Sequence, residues 1–62
     1  MKLRELLLVF DGEVVVNYNL DEVYFGNSRE AFYCKDSDWF LDNEVKEVVV
    51  SNDEDSLVIN TR

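Results

Sequence analysis

Cys34 is the only cysteine, and there is no histidine, in a chain of 62 residues. No intrachain disulfide can form. The commonest zinc ligand and the usual general base near neutral pH are both missing. A domain this small buries only about 60% of the surface its unfolded chain exposes, and many such domains add disulfides or a metal. This chain must rely on an apolar core. It has the material, because 47% of its residues are apolar and eight are aromatic (one Trp, three Tyr, four Phe). Its length supports a single domain, residues 1–62.

How the apolar residues are arranged then decides the fold. The densest run is "LLLVFDGEVVV", Leu6 to Val16. Asp11-Gly12 between apolar segments is a signal for a tight hairpin. That hairpin would be apolar on both faces, and the rest of so short a chain could not cover both. Leu3, Leu6, Leu7 and Phe10 instead recur at the spacing of one helical face. Residues 2–10 are therefore expected to form a helix, capped by Gly12 in a left-handed conformation.

Residues 13–19 are β-branched and aromatic and predict a strand, with Val14, Val16 and Tyr18 on one face and Val15 and Asn17 on the other. A four-residue loop, Asn19 to Glu22, returns the chain into a second strand, Val23 to Phe25, which Gly26-Asn27-Ser28 ends. Ser28 is placed to cap a short helix from Arg29 to Cys34, and Asp36 or Ser37 a further turn from Asp38 to Leu41. Residues 45–51 and 56–60 read as strands joined by the polar turn Asn52 to Asp55. Val48 and Val50 share a face, and a bulge near Glu47 would bring Val45 onto it. The resulting class is α+β, in the order α-β-β-α-β-β. A short N-terminal helix and a short helical segment between two hairpins pack on a four-stranded antiparallel sheet.

The net charge is −8, from 14 acidic and six basic residues. Such a charge disfavours direct nucleic-acid binding, which needs Lys and Arg against phosphate. Between Asp36 and Asp55 the carboxylates Asp36, Asp38, Asp42, Glu44, Glu47, Asp53, Glu54 and Asp55 face one base, Lys46. Leu6 to Phe10 is too short for a signal-peptide core or a membrane span. With a lone cysteine, the expectation is a cytoplasmic protein without membrane contact.

Leu6-Leu7, Val14 to Val16, Gly26 and the closing set Leu41, Val45, Val48, Asp55, Leu57, Val58 and Ile59 form a pattern of apolar positions and turns. In it the chain resembles a loose set of small acidic proteins of unknown function, encoded in phages and other mobile elements of Gram-positive bacteria. Residues 27–40 are longer and more aromatic than in that set. The resemblance implies an accessory product of a mobile element. It brings no activity and no residue roles.

No catalytic residue, cofactor or metal site is expected. An EF-hand loop begun at Asp36 would put Phe40 and Leu41 where an oxygen ligand and a glycine are needed. Paired carboxylates catalyse only inside a cleft, for which so short a chain has little room. Cys34 is read as a small buried apolar residue. Two function classes stand. One is a small non-catalytic module that binds an unknown protein partner or a second copy. Its surfaces would be the outer sheet face at Tyr18 and Tyr24 and the region of Trp39 and Phe40, with Phe32 and Tyr33 closing the core beside them. The strand 56–60 is a candidate edge for pairing with a partner. The other is an acidic inhibitor that occupies a basic nucleic-acid-binding surface through Asp36, Asp38, Asp42, Glu44, Asp53, Glu54 and Asp55.

Overall fold

The computed structural model describes residues 1–34, 38–51 and 56–62. Helix α1 runs from Leu3 to Val9, and its first turn is closed by Glu5, whose Oε1 accepts from the Lys2 backbone N–H at 2.8 Å. Leu3 and Leu7 are buried, Leu6 and Phe10 pack beside them, and the helical face read from the sequence is the one that meets the sheet. Leu8 and Val9 point away from it and are exposed.

The helix does not end in a left-handed glycine. Phe10 takes up extended backbone at once, and Gly12 serves a different need. The Phe10 ring lies over Gly12, where a Cβ would meet it at 3.1 Å. Ser28 completes the junction. Its hydroxyl donates to the Phe10 carbonyl at 2.8 Å and accepts from the Gly12 N–H at 3.2 Å. Ser28 therefore ties the helix-to-strand turn rather than capping the segment after it. The segment that follows has Arg29 at its N-cap and no side-chain cap, and Asn27 Oδ1 accepts from the Arg29 N–H at 2.8 Å.

Strands β1 (Glu13–Tyr18) and β2 (Asp21–Asn27) form the first hairpin. Its loop has two residues rather than four, because Tyr18 already pairs with Asp21. Asn19 and Leu20 both have positive φ, 49° and 75°. That is the backbone of a tight turn whose twist matches the strands, and it frees Asp21 and Glu22 to join β2. Asparagine tolerates this conformation; leucine does not, and a left-handed L-residue costs roughly 1–2 kcal/mol. Leu20 is also 96% exposed, so packing does not offset the strain. Leu20→Gly is expected to stabilise the fold by about 1 kcal/mol, read as a rise in Tm of roughly 5 °C. An unchanged or lower Tm would contradict this account of the turn.

The chain then passes through a short 3-10 helix, Glu30–Tyr33, and the single turn α2, Asp38–Leu41, to β3 (Val45–Val50) and β4 (Leu57–Thr61). The expected caps Asp36 and Ser37 and the turn Asn52 to Asp55 lie outside the described residues. The sheet order is β2-β1-β4-β3. Both hairpins are antiparallel, but the central strands β1 and β4 run parallel, so the sheet is mixed rather than antiparallel throughout. These two strands carry unbroken apolar runs, Val14 to Val16 and Leu57 to Ile59, the pattern of strands enclosed in a sheet. It follows that β4 is not an edge; the edges are β2 and β3. The link from β2 to β3 spans the sheet from one edge to the other.

Cross-strand register sorts the side chains into two faces. The rows Gly26–Val14–Leu57–Val50 and Tyr24–Val16–Ile59–Val48 lie on the helical side. Val14, Val16 and Ile59 are fully buried there with Leu3, Leu7, Ala31, Phe40 and Leu41. A register shift between Val45 and Glu47 gives β3 the anticipated bulge, and Val45 packs on the core. The helical layer stops short of β3, since Val48 and Val50 remain exposed. The start of the chain is tied to the entry of β3. Leu3 N–H donates to the Asn43 carbonyl and Val45 N–H to that of Met1.

Candidate functional site

The four aromatic residues singled out from the sequence come together, but not on the outer face. Tyr18 and Tyr24 have the parity of Val14 and Val16, which places them on the helical side. They join Trp39 and Phe40 in a chain of rings. Tyr18 meets Trp39 edge-on at 5.5 Å, Trp39 meets Phe40 edge-on at 5.7 Å, and Phe40 stacks on Tyr24 at 6.0 Å. Phe40 is buried, and its role is to anchor α2 in the core. Trp39, 51% exposed, is the ring that solvent or a partner can reach. Phe32 packs on the core while Tyr33 is exposed, so only one of that pair closes it. Cys34 is exposed rather than buried, because the 3-10 turn spends its inward position on Ala31.

Tyr24 is held in place by its hydroxyl, which donates to the Asn27 carbonyl at 2.7 Å. The ring leaves no room for a Cβ on Gly26, which would meet the hydroxyl oxygen at 3.0 Å and whose φ of +152° disfavours any other residue. Burial, and then negative charge at nearby Cys34 and Glu30, raise the phenol above its ordinary value of 10.0. A phenol raised in the fold binds its proton more tightly folded than unfolded. Stability should therefore fall as pH climbs past the ordinary phenol value and through the raised one. Urea titrations across that range should show a loss that Tyr24→Phe reduces; equal losses in both proteins would contradict it.

The acidic residues are partly neutralised from within. Asp42 accepts from the Arg4 guanidinium at 2.8 Å, and Glu44 lies 3.2 Å from the Met1 amino group. Asp38 is exposed at the start of α2. Asp36, Asp53, Glu54 and Asp55 lie outside the described residues. Among the described residues no group of three or more Cys, Asp or Glu could hold a metal ion.

The outer sheet face carries a feature that the sequence did not isolate. Phe25 pairs with Val15, Val15 with Val58, and Val58 with Val49. These four apolar side chains, one from each strand, form a row straight across the sheet. Phe25 is 54% and Val49 45% exposed at its two ends. A polar row runs beside it. Asn17 Nδ2 donates to Asn60 Oδ1 at 3.0 Å, and Asn60 Nδ2 donates to Glu47 Oε1 at 3.1 Å, with Glu22 registered opposite Asn17. Glu13 and Asn27 border the other side. The signal was available in the alternation of each strand, but it becomes a row only once the strand order and register are known.

At its edge the row meets open backbone. The Ser51 N–H donates to the Ser56 carbonyl, so alternation turns the backbone groups of Val49 towards β4 and those of Val48 and Val50 outward. Among the described residues the edge is occupied at its start alone, where Lys2 and Glu44 form an isolated antiparallel bridge.

Fold and surface together define a small α+β domain with a mixed four-stranded sheet, covered on one face and, among the described residues, bare on the other. Compared with known protein families, characterised proteins and solved structures, the chain matches none of them. No described helix is long and apolar enough to cross a membrane.

Proposed function

We propose that this chain is a small non-catalytic protein-binding module that docks through its outer sheet face. The observation that carries the proposal is the uncovered apolar row Phe25–Val15–Val58–Val49 with its polar borders. An apolar centre with a polar rim is the anatomy of a protein interface. The exposed edge at Val48 to Val50 adds main-chain groups that an extended partner segment can pair with. The resemblance to small products of Gram-positive mobile elements implies an accessory role in the cytoplasm, and the proposal takes that setting. Occupation of a basic nucleic-acid-binding surface has less support, since Asp42 and Glu44 are already met by cations of the same chain.

Capture from lysate of the cells that encode it, at roughly 50 and 200 mM salt, tests the proposal. The partner should be retained at both concentrations and lost with the double variant Phe25→Lys, Val49→Lys, whose positions are exposed enough to leave the fold intact. Capture that survives the double variant contradicts the proposal. Capture that collapses at the higher salt favours the acidic inhibitor.

A further inference from the structure

The two edges of the sheet are guarded unequally. Exposed edges are normally blunted by charge, proline, bulges or cover. β2 carries Asp21 and Glu22, a register shift, and Gly26 at positive φ. β3 has its guards at its start, where Lys46, Glu47 and the bulge lie and Lys2 bridges Glu44. Val48, Val49 and Val50 follow without any, and they are 43%, 45% and 66% exposed. Val48 and Val50 turn their backbone groups outward, and among the described residues no strand pairs with them.

This stretch is apolar on both faces. Val49 ends the outer row, while Val48 and Val50 lie on the helical side, beyond the reach of the helical layer. A strand that closes the edge must match both faces at once. β3 itself does so. Two copies set antiparallel about a two-fold axis at Val49 pair Val48 of each with Val50 of the other. Both members of each pair have open backbone groups, so they exchange N–H···O=C bonds. On the outer face Val49 lies against Val49. Two residues along, Glu47 meets Ser51 of the second copy, whose hydroxyl can donate to Oε2, since Oε1 already accepts from Asn60. Other registers lose the match. Centred on Glu47, two carboxylates oppose each other, which is destabilising. Centred on Val48, Glu47 lies against Val49, and centred on Val50, Val49 lies against Ser51.

We infer that the occupant of this edge is a second copy of the chain, joined β3 to β3 so that two four-stranded sheets become one. The inference rests on the reading of the outer row and its edge as a binding surface, and it names what fills the edge. A two-fold axis normal to the sheet keeps both outer faces on the same side. The two apolar rows then meet end to end through Val49 and stay open to a further partner. Two copies of charge −8 repel at long range, but the paired stretch, Lys46 to Ser51, is neutral. Salt should therefore tighten the pair by screening that repulsion.

Sedimentation equilibrium of the intact chain tests the inference. So small an interface is weak, and the dimer should appear between about 5 and 500 µM. Val50→Pro removes an N–H that the monomer leaves outward, a place where an edge strand tolerates proline. It should keep the native circular dichroism and raise the dimer Kd at least about tenfold. Phe25→Lys, at the far end of the row, should leave that Kd unchanged. Cysteine pairs report the register without a proline. With Cys34→Ser as background and oxidised glutathione as oxidant, Val49→Cys should form a disulfide-linked dimer readily, since the two-fold sets this residue against itself. Glu47→Cys should not. A monomer throughout the range overturns the inference and leaves capture through the outer row untouched. A dimer lost in Phe25→Lys, one weakened by salt, or equal cross-linking at residues 47 and 49 would also overturn it. A dimer with the expected register in a chain that captures nothing would instead remove the outer-row reading alone.

Discussion

Phe40→Ala is expected to remove about half or more of the protein's stability. Phe40 is 4% exposed, stacks on Tyr24, meets Trp39 edge-on and belongs to the core with Leu3, Leu7 and Ile59. Truncating a buried phenylalanine costs about 3–5 kcal/mol. At typical stabilities per residue, a chain of this length has only roughly 3–9 kcal/mol to lose. Trp39→Ala, one position earlier and half exposed, should cost about 1–2 kcal/mol and leave a cooperative transition. Urea unfolding followed by circular dichroism compares the two. If Phe40→Ala unfolds at the wild-type midpoint, the ring chain does not anchor α2 in the core. The pair also separates two roles that the sequence could not: of these neighbouring aromatics, Phe40 maintains the fold and Trp39 faces outward.

Ser28→Ala carries the second large effect. The side chain is fully buried, and its hydroxyl serves the Phe10 carbonyl and the Gly12 N–H at once. Alanine leaves both backbone groups without that partner, at a cost of about 2–3 kcal/mol. The turn that sets α1 against β1 is where the loss falls. Asn27→Ala, which removes the exposed hydrogen bond to the Arg29 N–H, should cost about 0.5–1 kcal/mol. The urea midpoint should therefore fall several times further for Ser28→Ala than for its neighbour, with the slope unchanged in both. Similar shifts for the two would mean that the Ser28 bonds are not made.

The element order was readable because periodicity settles local structure. The spacing of Leu3, Leu6, Leu7 and Phe10 outweighed the Asp11-Gly12 turn signal, and the helix is there. The bulge near Glu47 was foreseeable from the phase of Val45 against Val48 and Val50. Strand order was harder, because it depends on contacts between segments far apart in the chain. Two hairpins can join through any pair of edges. The unbroken apolar runs of β1 and β4 were the clue that these strands lie side by side at the centre, but β3 carries three valines too. Tyr18 and Tyr24 were placed on the wrong face for the same reason. The parity of Tyr18 with Val14 and Val16 was visible and was set aside, whereas that of Tyr24 depends on the two-residue turn and the register shift in β2. Once the strands are ordered, the bare row falls to Val15, Phe25, Val49 and Val58. Leu20 was hidden in a loop read as four residues, where nothing required it to be strained.

The whole account rests on the sheet having one covered face and one bare face. Val15 and Val16 are adjacent on β1, a central strand, and point to opposite sides. Val16→Lys puts an unpaired ammonium into the core, a cost of several kcal/mol that this chain cannot bear. Val15→Lys puts the same charge on the outer row, where its long stem can lie along Phe25 and Val58 with the ammonium in water. Amide-detected NMR spectra of the two variants are the direct measurement. Native dispersion for Val15→Lys and collapse for Val16→Lys is the predicted result. Collapse of both would mean that the outer face is packed, and survival of Val16→Lys would mean that the helices cover the other side.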